Sequence, residues 1–306
     1  MNGLILVRKP LRVTSHDVVD ALRRILGEKK IGHFGTLDPL ASGLLLAAVG
    51  RVTRLFPFFS GMDKAYLGSI RLGFSTDTYD AAGRPTSPEA REFPTRESVE
   101  AALGQFEGEI TQISPPFSAK KHHGTPLYIY ARKNAPVEGR AFRVHIRSVR
   151  ITGYHPPLLD VEVRCSSGTY IRTLAHDLGQ KLACGAHLGG LVRTEIGGYK
   201  LEEAFSLEEI EGLREAGQTD RFLVPLEGLL PHLPRFCLDE QGLRLVKNGR
   251  AVPRDHLSGD SPGLVAGPKP GDQDPAVRLF SPSGRLVALA RPSAGGDVLA
   301  PFLVFI

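Results

Sequence analysis

Cysteine is scarce, with only Cys165, Cys184 and Cys237 in 306 residues. They are far apart and form no CxxC or Cys/His metal spacing, so neither a disulfide framework nor a zinc site is indicated, and a reducing cytoplasmic setting is expected. Long apolar runs are missing too. The opening Leu4-Ile5-Leu6-Val7 is cut short by Arg8 and Lys9, too brief for a signal peptide, and nothing approaches the ~20 residues that a membrane span needs. No internal repeat and no low-complexity tract occurs. The excess of positive charge is small, 38 Lys and Arg against 33 Asp and Glu. It favours a polyanionic partner only mildly, so where the charge sits matters more than its sum.

What is present is an ordinary globular composition, 42% hydrophobic, in a 306-residue chain. That length exceeds the usual ~100–200 residues of one domain and predicts two. The densest concentration of chemistry is Gly32-His33-Phe34-Gly35-Thr36-Leu37-Asp38-Pro39-Leu40-Ala41-Ser42-Gly43, followed at once by the apolar run Leu44–Val49 that reads as a buried strand. Proline disfavours the α region for the residue before it, so Asp38 is presented from extended or turn backbone. The glycines permit a loop to lie flush against a ligand. Taken alone, the same residues also fit a polar turn that Asp38 merely caps.

Along the chain, Gly3–Val7 predicts a short buried strand. Thr14 and Asp17 form a capping pair ahead of a helix whose apolar face is Val18, Val19, Leu22, Ile25 and Leu26. Residues 64–74 and 159–165 alternate with period two and read as strands. Pro94-Thr95 opens a helix marked by Val99, Ala102, Leu103 and Phe106. Ile171, Leu174, Ala175, Leu178 and Leu182 mark another, which places Tyr170 and Arg172 at a strand-to-helix junction. His187–Tyr199 reads as extended, and Ser206 with Glu209 caps a short helix. Leu229–Pro234 has the look of a linker, and the β-rich remainder predicts a small accessory domain around the Pro/Gly-rich loop 258–274.

Residues 112–150 carry eight Lys or Arg and one acid, Glu138, interleaved with Phe117, Tyr128, Tyr130 and His122-His123. Cations that neutralise phosphates, mixed with rings on which bases stack, are the pattern of an RNA-binding insertion; a solvated loop and strand would look the same.

The Gly32–Gly43 loop, Lys64-Ala65-Tyr66, Thr76-Asp77-Thr78-Tyr79-Asp80, the segment 114–128 and Gly168-Thr169-Tyr170-Ile171-Arg172-Thr173 together resemble the bacterial TruB-type tRNA pseudouridine synthases, in collinear order over most of residues 1–230. The resemblance implies an α+β pseudouridine synthase fold with a mixed, largely antiparallel central sheet over 1–230. It also implies an RNA-binding insertion at about 112–143 and a small PUA-like C-terminal domain over 235–306. The implied activity is isomerisation of the uridine at position 55 in the T arm of tRNA, with the base flipped into a pocket. No metal or redox cofactor is expected.

Carried over residue by residue, the resemblance makes Asp38 the essential carboxylate, Arg172 the guanidinium that orients it, and Tyr66 the ring that stacks on the target base. His33 matches the residue that fills the space left in the RNA. Tyr170 and Leu191 match pocket-lining positions, Asp80 a nearby polar contact, Lys9-Pro10 a motif beside the site, and Lys121 a position at the tip of the insertion. The sequence departs from the family's pattern at Ser118-Ala119-Lys120-Lys121, where a lysine replaces a commonly apolar residue, and at Tyr79, where a small residue is commoner.

The expected partner is the T stem-loop of tRNA, with no membrane, no obligatory protein partner and a monomeric chain. Two other readings remain open: a non-catalytic RNA-binding or chaperone module, and a same-fold synthase acting on another RNA.

Overall fold

The computed structural model describes residues 1–118, 121–122, 125–126, 130, 139–259, 276–293 and 297–306, with backbone alone at 121–122 and 125–126. The chain divides into two compact units, one comprising Ile5–Ala47 and Leu55–Gln218, the other Met1–Leu4, Ala48–Arg54 and Thr219–Ile306.

The larger unit is built on a mixed sheet of β1 (Gly3–Lys9), β2 (Ile31–His33), β3 (Ala41–Val49), β4 (Lys64–Leu72), β5 (Gly108–Ile113), β8 (Ala141–His155), β9 (Leu158–Cys165), β10 (Ala186–Ile196) and β11 (Tyr199–Lys200). β6 (Lys121–His122) and β7 (Thr125–Pro126) pair antiparallel as a separate two-stranded sheet. The sheet order runs β1-β3-β10-β4-β9-β8-β5, with β2 on β3 and β11 on β10. The run β10-β4-β9-β8-β5 is antiparallel throughout, whereas β10 pairs β3 in parallel.

Local sequence explains the helices that flank it: α1 (Ser15–Leu26), α2 (Phe56–Ser60), α3 (Arg96–Gly104), α4 (Ile171–Lys181) and α5 (Leu207–Glu215). The Thr14/Asp17 and Ser206/Glu209 pairs both form reciprocal capping boxes, and Gly27 ends α1 in the left-handed region. Val18, Val19, Leu22 and Leu26 of α1 are buried. Val99, Ala102 and Leu103 of α3 join Leu174, Ala175 and Leu178 of α4 in one core with Ile70, Leu72, Val161 and Val163 of the sheet.

The basic stretch is described only in part. Residues 119–120, 123–124, 127–129 and 131–138 lie outside the described residues, as do the side chains of 121–122 and 125–126, Lys121 included. From Ala141 onward the chain is the 15-residue strand β8, which begins inside the expected insertion. Three of the eight cations sit on β8 and are ion-paired: Arg143 with Glu109 (3.0 Å), Arg147 with Asp63 (3.0 Å) and Arg150 with Glu162 (2.6 Å). The period-two signal of β8 is broken by a register shift between Ile146 and Ser148. The apolar positions change from Val144 and Ile146 to Val149 and Ile151 across it, which masked the strand.

The smaller unit has the β-rich character expected of it. Its sheet, ordered β14-β18-β17-β16-β13-β15, comprises β13 (Arg235–Leu238), β14 (Val252–Pro253), β15 (Leu257–Ser258), β16 (Val277–Phe280), β17 (Leu286–Pro292) and β18 (Val298–Val304). The unit also contains β12 (Leu223–Pro225) and α6 (Glu240–Lys247). Phe236, Val246, Val252, Leu279, Ala288 and Leu299 form its core, an arrangement compatible with a PUA-like domain. Leu229–Pro234 is packed rather than a free linker. Leu229 and Leu230 are buried, and Arg278 donates to the Leu229, Pro231 and Leu233 carbonyls at 3.1–3.3 Å.

Candidate active site

The loop that presents Asp38 is fixed at several backbone points. The Ser15 hydroxyl, at the start of α1, accepts from the Leu37 N–H (2.9 Å) and lies 3.2 Å from the Leu37 carbonyl, to which it donates. Arg12 N–H donates to the Pro39 carbonyl, and Ala41 N–H to that of Asp38. From β10, the almost fully buried Arg193 donates to the carbonyls of Leu44 (2.8 Å), Thr36 (3.3 Å) and Gly35 (3.0 Å). Gly43 lets β3 approach: at φ +105 it faces Arg193 across the parallel pair, and a Cβ there would lie 2.3 Å from the Arg193 carbonyl oxygen.

Arg172 enters from α4. Tyr170 is the N-cap, and its own side chain makes no capping bond. Gln112 of β5 instead accepts from the Tyr170 N–H (2.9 Å) and donates to the Tyr170 carbonyl (3.1 Å). The side chain of Arg172 is 6% exposed. Its Nε lies 2.9 Å from Asp38 Oδ2, a charge contact in which the N–H is not aligned for a hydrogen bond. Nη1 donates to the Thr78 carbonyl (3.1 Å) and lies 3.4 Å from Asp80 Oδ2, while Nη2 donates to the Phe117 carbonyl (3.1 Å). A buried guanidinium needs this many acceptors to offset its desolvation. The Asp38 side chain remains 44% exposed, open to a ligand.

Between them lies a cavity of about 290 Å³ lined by Asp38, Tyr66, Tyr170, Arg172 and Leu191, together with Lys64 and Arg193. That volume sits at the small end of the roughly 300–1,000 Å³ of ligand sites, suited to one flipped nucleoside and not to a duplex. Burial raises the pKa of the Tyr66 phenol, against the opposing charge of Arg193, and raises that of Tyr170. Burial, reinforced by Arg193, lowers Lys64 to about 8, and its Nζ donates to the Met62 carbonyl (2.6 Å).

Five of the nine site residues expected from sequence thus line one cavity. Asp80 stands behind Arg172 as its second carboxylate. His33, at the end of β2, is half-buried and outside the cavity wall, with its pKa lowered by burial and by Arg193 and His16. Lys9 is buried in the β1–α1 connection, where its Nζ donates to the Pro10 (2.8 Å) and Val13 (2.7 Å) carbonyls; burial lowers its pKa to about 8 despite the nearby Asp38. Its contacts are those of a loop support, not of a cavity wall. Arg193 went unnoticed in sequence, because Glu195 two residues on gives the same extended stretch a second charge and nothing in the pattern singles out the arginine.

A family model described as the TruB family pseudouridylate synthase N-terminal domain matches residues 23–171, and one described as the tRNA pseudouridylate synthase B C-terminal domain matches 172–231. The chain belongs to the TruB family. Proteins named tRNA pseudouridine synthase B are similar over nearly the whole chain. The one from Dehalococcoides mccartyi strain CBDB1 is 38% identical, covering 97% of this chain and 94% of its own. That from Solibacter usitatus is 43% identical over 83% and 86%, and that from Thiobacillus denitrificans 40% over 96% and 93%.

Among solved structures, the Cbf5-Nop10-Gar1 complex is similar with a TM-score of 0.74 at 24% identity, covering 99% of this chain and 85% of that one. An H/ACA RNP bound to a substrate RNA containing 2′-deoxyuridine gives 0.73 at 22%, with the same coverage. Both likenesses establish the pseudouridine synthase fold.

Proposed function

We propose that the chain isomerises the uridine at position 55 in the T arm of tRNA to pseudouridine, with Asp38 as the catalytic carboxylate. Family membership supports the reaction and the tRNA substrate. The observation that carries the site assignment is Arg172, buried and held against a half-exposed Asp38 on the wall of a nucleoside-sized cavity.

In this reaction the N1–C1′ bond breaks, the detached uracil turns, a C5–C1′ bond forms, and the C5 proton is lost while N1 gains one. Product is an isomer of substrate, so atoms and electrons balance without a co-reactant. Asp38 supplies the carboxylate that acts on the ribose or the ring. Arg172 fixes its orientation, and Tyr66 offers a buried face on which uracil stacks while it turns. Lys64 and Arg193 add positive charge to a cavity that must receive a nucleotide from a polyanion. Flipping the base costs a few kcal/mol, offset by stacking and by contacts to the rearranged loop. The reading includes a monomeric enzyme that recognises its RNA without a protein partner.

A same-fold synthase acting on another RNA is less well supported. The relatives at 38–43% identity carry the tRNA name, whereas the likeness to Cbf5 complexes stands at 22–24%. Carbodiimide labelling and primer extension on unmodified tRNA treated with the enzyme test the assignment. A single new stop reporting position 55 is expected. Stops elsewhere in the tRNA, or modification confined to a ribosomal RNA fragment, would overturn it.

A further inference from the structure

The turn Thr76–Asp80 supplies two of the groups that hold Arg172, the Thr78 carbonyl at 3.1 Å and the Asp80 carboxylate at 3.4 Å. Tyr79 lies between them in the left-handed region, at φ +64. Glycine or a short polar residue is the low-strain choice there, so the tyrosine must be retained by what its ring does. That ring is stacked on His176, with centroids 3.8 Å apart and planes inclined by 13°. His176 is on α4 four residues after Arg172, one turn further along the same face.

On its other side the turn is tied to β10. Leu188 N–H donates to the Tyr79 carbonyl (3.0 Å) and Ala81 N–H to that of Leu188 (2.9 Å). Burial lowers the pKa of His176, and its Nδ1 has no hydrogen-bond partner among the described residues, so it is the Tyr79 ring and not a hydrogen bond at Nδ1 that orients the imidazole.

We infer that Tyr79, stacked on His176, is a positioning residue that locks the Thr76–Asp80 turn to α4 and so sets the direction in which Arg172 holds Asp38. The inference rests on the reading of Asp38 as the catalytic carboxylate. Residue 79 touches neither the cavity nor Asp38 directly. Its effect therefore passes through the Thr78 carbonyl, the Asp80 carboxylate and the guanidinium, and belongs to kcat rather than to tRNA affinity.

The test is steady-state kinetics on tRNA with Tyr79→Gly, Tyr79→Phe, His176→Ala, Tyr79→Gly/His176→Ala and Tyr79→Gly/Arg172→Lys, alongside Asp38→Asn and thermal melts. Glycine suits φ +64, so Tyr79→Gly should melt no lower than wild type. Its kcat should fall roughly tenfold at unchanged KM, the scale of a small misplacement of a reacting group. Tyr79→Phe keeps the stack and should retain wild-type kcat. The Tyr79/His176 double variant should lose no more than either single one, and the Tyr79→Gly factor should vanish on Arg172→Lys.

Wild-type kcat in both Tyr79→Gly and His176→Ala, a loss confined to KM, or an undiminished factor on Arg172→Lys would overturn the inference. Activity in Asp38→Asn would instead overturn the reading on which it rests, a separate result from any of these.

Discussion

Asp38, Arg172, Lys64 and Arg193 bring one negative and three positive groups to the wall of one small cavity, and the costs of burying them differ. Arg172 and Arg193 are surrounded by acceptors, whereas Lys64 donates to a single carbonyl, that of Met62, among the described residues. Its pKa is about 8 in the folded chain against an ordinary value of 10.5. Between those values the unfolded state binds more protons than the folded one, so Lys64 adds a stability increment as pH rises above about 8 and a penalty below it. Lys64→Met should therefore be more stable than wild type at pH 7, with its advantage shrinking between pH 8 and 9.5 in urea melts. An advantage independent of pH would contradict the assignment.

Legibility also varied residue by residue. Asp38, Tyr66 and Arg172 stand in motifs dense enough to recognise. Lys9 stands in a motif of its own, Lys9-Pro10, yet its buried Nζ serves backbone carbonyls that no sequence pattern exposes.

Elements in this chain are set by short local signals wherever one face is buried. The Thr14 capping box fixes the start of α1, and with it Ser15, which holds Leu37 beside Asp38. Thr14→Ala should cost about 1 kcal/mol in a chemical melt and lower activity through the loop; no change in stability would show the cap to be dispensable. Gly43→Ala is expected to be far worse. A Cβ would meet the Arg193 backbone at 2.3 Å from a residue at φ +105, a double conflict that should cost more than about 3 kcal/mol, seen as a large fall in Tm or insoluble protein.

The same logic explains what could not be read. β8 carries arginines on its exposed positions and a bulge that shifts its period, so its composition could not separate an RNA-binding insertion from a strand whose charges are paired with Glu109, Asp63 and Glu162. Pairings of that kind depend on register, which a single sequence does not display.

At the scale of the whole molecule, two compact units share one chain, and their limits follow packing rather than composition. Thr219–Pro234 belongs to the smaller unit, and Arg278 of that unit draws the carbonyls of Leu229, Pro231 and Leu233 around its guanidinium. Arg278→Leu would leave three acceptors without that donor and should destabilise the smaller unit by about 2–4 kcal/mol, visible as earlier proteolysis within residues 219–306. Unchanged proteolysis would contradict that role. The accessory unit was legible in sequence as β-rich. The packing of Leu229-Leu230-Pro231 was not, since that stretch looks like a tether until its buried partners are known.

The central claim is that a chain of this family acts through Asp38, and tritium release from tRNA labelled at C5 of uridine measures it most directly. C5 must lose its hydrogen whenever the new glycosidic bond forms. Wild-type protein should release close to one equivalent per tRNA, and Asp38→Asn, melting like wild type and binding the same tRNA, should release none. Wild-type binding without release would leave an RNA-binding protein in place of an enzyme, and release by Asp38→Asn at the wild-type rate would place the chemistry on another residue.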